Sequence, residues 1–162
     1  MKRIFGLTLC LLAASMAQAE QKLRVIDLGD DAPVSAEAAE RGRQAIAAQE
    51  AAKKIKPEEA RDFLKRLNKT VEHGQTLALS GAMDGKQARD QAIALKKLMD
   101  ESDRFGSLFA PFAKCRSAAI DANTSWQGMI SQNVRQYSEG NTSYQANAKE
   151  CAQAAGLSLI HI

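Results

Sequence analysis

Histidine is nearly absent from this sequence: only His73 and His161 occur, and they stand far apart. A zinc site draws on clustered Cys and His ligands, so no metal centre of that kind is expected. The strings that carry common catalytic or phosphate-binding chemistry are missing as well. There is no HExxH, no G-x-S-x-G and no P-loop. The three cysteines form no CxxC pair, which removes the usual unit of thiol redox catalysis. No catalytic residue and no cofactor is therefore assigned. His73 immediately precedes Gly74, and that placement assigns it to a helix C-terminus, where a cation is favoured by the helix dipole.

One-sided charge is also missing. Lys and Arg number 22 against 19 Asp and Glu. Removing Lys2 and Arg3 with the leader described below leaves 20 against 19, a net charge of about +1. A nucleic-acid partner needs a concentrated cationic footprint, so none is expected. Large side chains are sparse. Beyond residue 19 the aromatics are Phe63, Phe105, Phe109, Phe112, Trp126, Tyr137 and Tyr144, and much of the apolar content is alanine. An Ala-rich bundle gains less from burial per residue than a Leu-rich one, so a disulfide or a partner would supply part of its stability.

The only long apolar run is at the start. Met1-Lys2-Arg3 is basic, residues 4–16 carry no charge, and Ala17-Gln18-Ala19 is a small-x-small cleavage site before Glu20. That order is the signature of a secretory signal peptide over residues 1–19. A spanning helix needs roughly 20 apolar residues, more than this run has. Cys10 lies early in the run after Leu9, so it reads as filler rather than as a lipidation site. The expectation is export from a bacterial cytoplasm to the periplasm or beyond, with no membrane span after cleavage. At the other end, residues 157–162 (Leu-Ser-Leu-Ile-His-Ile) resemble the translation of a transposon-end adapter used in sequencing-library preparation. They are read as an artefact, with the natural chain interrupted near Gly156.

Between these ends the pattern is helical. Residues 20–34 differ, because Leu23, Val25, Ile26 and Leu28 give a short β-like alternation before Gly29 and Pro33 break it. This is an extended N-terminal arm, and Leu23 and Val25 on it are candidate interface residues. Residues 35–156 form the helical domain. Ser35 caps a first helix running to about residue 55, with Ala38, Ala45, Gln49 and Ala52 inward and Ile46 beside them. Pro57 starts a second helix, whose buried face is Ala60, Phe63, Leu64, Leu67 and Val71 and whose stop is Gly74. A third spans about 86–103, lined by Ala88, Ala92, Leu95 and Leu98. From residue 107 a heptad-like seam steps through Leu108, Phe112, Cys115, Ala119, Ala122, Trp126 and Met129 to Asn133. Ser138-Glu139-Gly140-Asn141 is read as its end, with Thr142 or Ser143 capping a last helix that carries Tyr144, Ala148, Cys151 and Ala155. The fold class is all-α, an irregular bundle of four or five helices.

In an exported chain Cys115 and Cys151 are expected to pair. The turn near Gly140 makes this awkward. It places Cys151 level with residue 129, about 20 Å from Cys115 at 1.5 Å per residue, whereas bridged Cα atoms lie within roughly 7 Å. Either the helix breaks around residues 123–125, or the two do not pair with each other.

These features favour a small exported protein-binding domain with a protein partner in the envelope, for example an inhibitor, an immunity-type protein or an accessory factor. Trp126 is a third candidate interface residue, because Trp anchors many interfaces, although its seam position also fits the core. The alternative is a cell-wall-directed hydrolase whose carboxylates the sequence does not identify. A carboxylate with a raised pKa in a cleft would mark it.

Overall fold

The computed structural model describes residues 35–157, Leu108 apart. The chain is all-α, as its periodicity requires: α1 (Ala36–Ala52), α2 (Pro57–Leu79), α3 (Gly85–Ser102), a 3-10 turn (Asp103–Phe105), α4 (Ala113–Ile130) and α5 (Val134–Ala154). No strand occurs among the described residues. The expected arm at 20–34, the leader and the last five residues lie outside them. No helix among the described residues is long and apolar enough to cross a membrane.

Local chemistry sets the starts. Ser35 Oγ accepts from the Ala38 amide at 3.1 Å, capping α1. Pro57 opens α2, and Glu59 Oε1 accepts from the Lys56 amide at 3.1 Å. Asp84 and Gln87 cap each other reciprocally at the head of α3, with bonds of 2.7 and 2.9 Å.

Helices α2 to α5 form an up-down-up-down bundle. Gln91 donates to the Thr70 carbonyl while Arg66 grips Glu101, so α2 and α3 run antiparallel. Tyr144 donates to Asn68 and Arg61 to the Ala155 carbonyl, so α5 runs antiparallel to α2. The core takes Phe63, Leu64 and Leu67 from α2, Leu95 and Leu98 from α3, and Phe105 from the 3-10 turn. Phe63 and Phe105 meet edge-to-face with centroids 4.8 Å apart. The expected seam is buried from Phe112 to Trp126, where Phe112, Cys115, Ala119, Ala122 and Trp126 share a core with Tyr144, Ala148 and Cys151; Met129 is half-buried, Asn133 is exposed, and Leu108 lies outside the described residues.

Helices α4 and α5 are the closest pair, because small residues let their backbones approach. A Cβ on Gly128 would stand 2.4 Å from the Tyr137 nitrogen, and one on Gly140 would stand 2.8 Å from the Ser125 nitrogen. Gly140 is therefore a contact point inside α5, and the turn expected there is elsewhere. It lies at residues 131–133. Asn133 N–H bonds the Gly128 carbonyl at 2.8 Å and Gln132 N–H bonds the Met129 carbonyl at 3.1 Å, a Schellman ending with Gln132 at φ 57°. Asn133 Oδ1 then accepts from the Gln136 amide, so one residue closes α4 and caps α5. Neither Thr142 nor Ser143 is a cap, and α4 runs unbroken through residues 123–125.

The relocated turn settles the cysteines. Residues 115 and 151 lie equally far from Asn133, so the hairpin brings them level. They are disulfide-bonded, with Cα atoms 4.9 Å apart. The bond closes a 36-residue separation, worth about 4 kcal/mol in the chain-entropy account.

Gly74 likewise does not end its helix. It is buried within α2, where an added Cβ would lie 2.6 Å from Gln91 Nε2 and 3.1 Å from the Trp126 ring. The helix runs on to Leu79 and stops before Gly81, at φ 67°. His73 is accordingly an exposed mid-helix residue and caps nothing.

Helix α1 stands apart. It touches the rest through its last turn, where Ala52, Ala110 and Ala113 make a small cluster of their own. Ala52 is its one buried residue. Of the rest of the expected inward face, Ala38 and Gln49 are half-buried and Ala45 is exposed, and Ile46 beside it is 67% exposed. The helix ends at Ala52 rather than near residue 55, as Lys53 and Lys54 begin the turn into Pro57.

Candidate functional site

The loop from the 3-10 turn to α4 is built around Gly106. Its φ is 77°, a region open to glycine, and a Cβ there would lie 2.7 Å from the Ala52 Cβ. This close approach seats α1. Gln49 Oε1 completes the seat by accepting from Ser107 Oγ at 2.8 Å. Beyond the contact the two segments diverge and leave an open groove of about 620 Å³. Ala45, Ile46 and Ala48 form one wall, and Phe109 stands on the other side, 90% exposed.

The polar groups at the groove are satisfied within the chain. Arg116 Nε donates to Asp103 Oδ1 at 2.9 Å, and Lys53 Nζ donates to Glu50 Oε1 at 2.6 Å. The hydrogen bond from Lys53, reinforced by its charge, holds the Glu50 carboxyl below its ordinary pKa. What the groove offers a ligand is thus apolar surface with a compensated rim. A single exposed apolar residue is ordinary, but Ile46 and Phe109 lining one concave feature is not.

The sequence-derived candidates distribute differently. Leu23 and Val25 lie outside the described residues. Trp126 is 4% exposed and belongs to the core, so it is not a surface anchor. It packs where Gly74 makes room, and its indole Nε1 has no hydrogen-bond partner. Cys115 and Cys151 are joined and fully buried, so they act as a cross-link. His73 lines a smaller groove of about 260 Å³ with Asp90 and Gln91. Among the described residues no three His, Cys, Asp or Glu side chains gather closely enough to hold a metal ion.

The remaining titratable groups have structural explanations. Burial pushes the Tyr144 phenol upward, and its hydroxyl donates to Asn68 Oδ1 at 2.8 Å. The hydrogen bond from Arg66 holds Glu101 below its ordinary value. Both carboxylates with a resolved shift, Glu50 and Glu101, move down, whereas a general acid would move up.

Phe109 escaped the sequence reading. The seam through Phe112 and Cys115 leaves position 109 off the buried face. Gly106 and Pro111 on either side place it in a loop, and that combination was the available signal. Compared with known proteins, the chain matches no family model, no curated protein and no solved structure.

Proposed function

We propose that this chain is a small exported domain that acts by binding another protein, an inhibitor, immunity-type protein or envelope accessory factor, and that α1 with the 106–109 loop is its contact surface. The observation that carries this reading is the pairing of Ile46 and Phe109 across an open apolar groove; Leu79 and Val134 are also exposed but do not line it. Aromatic anchors dominate many protein interfaces, and Phe109 is the most exposed aromatic described. The leader signature at residues 1–19 and the Cys115–Cys151 bond support an oxidising compartment. The buried, bonded cysteines and the downward carboxylate shifts give no support to a hydrolase.

The test is affinity capture from envelope and secreted fractions, using the full chain expressed for export with a C-terminal tag. The wild type should recover one stoichiometric protein. The I46A/F109A variant, with an unchanged helical circular dichroism spectrum, should not. Equal recovery by both would move the contact surface elsewhere, and no partner for the wild type would overturn the binding function.

A further inference from the structure

We propose that the Cys115–Cys151 bond is a latch on the groove: it sets the first turn of α4, and through it the seat of α1, while the α2–α3 half of the bundle stands without it. The inference rests on the groove's geometry and holds whatever fills the groove. Cys115 is the third residue of α4. The N-cap position, Phe112, offers no side-chain cap, and the first amides rest instead on the preceding loop, Ala113 N–H on the Ala110 carbonyl at 3.2 Å and Cys115 N–H on the Phe112 carbonyl at 2.9 Å. Two residues before Cys115, Ala113 packs with Ala110 and Ala52, the only buried apolar cluster among the described residues that reaches α1. Three alanines bury little area, so the position of this cluster follows that of the first turn of α4. Across the bond, Cys151 sits in the last turn of α5. The bond therefore ties the open end of the hairpin, whose other end is already held by the Gln132 turn and the Gly128–Tyr137 approach. The α2–α3 pair needs no such tie. It has Phe63, Leu67, Leu95 and Leu98 in the core and a bidentate Arg66–Glu101 pair at 2.6 Å.

Both sulfurs belong to residues with no exposed surface, so reductants do not reach them in the folded chain. The latch is set once, during folding in an oxidising compartment. A small-molecule or protein disulfide takes two electrons and two protons from the two thiols and leaves as two thiols, by exchange through a mixed disulfide.

Amide hydrogen exchange on the full chain tests this. Three samples are compared: the oxidised protein, the protein refolded with its cysteines kept reduced, and the C115A/C151A variant. Without the bond, exchange should rise about tenfold or more in 45–54, 109–117 and 148–156, and less than about twofold in 63–74 and 91–102. Equal acceleration in all helices, including a chain that fails to fold without the bond, would overturn the proposal. So would unchanged exchange at 45–54 and 109–117.

Discussion

The two halves of this molecule are built on opposite principles. From α2 to α5, one shared core takes Phe63, Leu64, Leu67, Leu95, Leu98, Phe112 and Trp126 while Leu79 and Val134 at helix ends stay exposed, glycines sit where backbones touch, and a disulfide closes the hairpin. In α1, Ala52 alone is buried, Ile46 faces outward, and Gly42 has nothing within 4 Å of where a Cβ would be. A lone helix of 17 residues is marginal in water. Its Glu37–Arg41 and Glu50–Lys53 pairs and its Ser35 cap help it form without supplying a core. The contrast teaches that stability and surface are divided. The bundle holds the shared core, and α1 with its facing loop carries the exposed apolar groove.

The contrast breaks most readily under truncation of a core residue. Leu67→Ala in the bundle should lose about 3 kcal/mol in urea unfolding, while Ile46→Ala in α1 should change stability by less than about 0.5 kcal/mol. Comparable losses would mean that α1 is part of the core. Glycines sharpen the same point with opposite signs. Gly128→Ala forces a Cβ against the Tyr137 backbone and should cost about 2 kcal/mol, whereas Gly42→Ala should raise stability or helicity by about 1 kcal/mol or less. A third change probes the turn. Gln132 holds φ 57°, so Gln132→Gly should stabilise the hairpin by about 1 kcal/mol in thermal or urea unfolding.

The smallest effect is electrostatic. The hydrogen bond from Arg66 holds the Glu101 carboxyl below the ordinary carboxylate value. A carboxylate with a lowered folded pKa adds stability above its unfolded pKa and loses it as pH falls through the folded value. The pair is partly exposed, so Glu101→Gln should cost about 0.5 kcal/mol at neutral pH and nothing once both states are protonated. Unfolding curves of the two proteins at neutral pH and in strong acid check this. A gap that persists in acid would assign the effect to packing.

Much of the bundle was legible because buried faces follow helical spacing. Phe63, Leu64 and Leu67, and Phe112 through Trp126, were placed on the correct faces by periodicity alone. The turns were harder to place, for one reason that recurs. Glycine marks both chain breaks and close approaches, and Gly74 and Gly140 are approaches inside helices. The real turn uses Gln132 in the left-handed region, a residue that carries no such signal. Misplacing it by several residues was enough to separate Cys115 from Cys151 on paper. The site was less legible still. Spacing sets Ile46 beside the inward face of α1, and only the fold shows it exposed at a groove opposite Phe109.

The most direct test of this division is the amide-protection footprint of the chain in complex with its captured protein, compared with the free chain. The account predicts new protection in 36–54 and 106–112, with the outer faces of α2 to α5 unchanged. Protection confined to those outer faces, with α1 exchanging as freely as before, would contradict it.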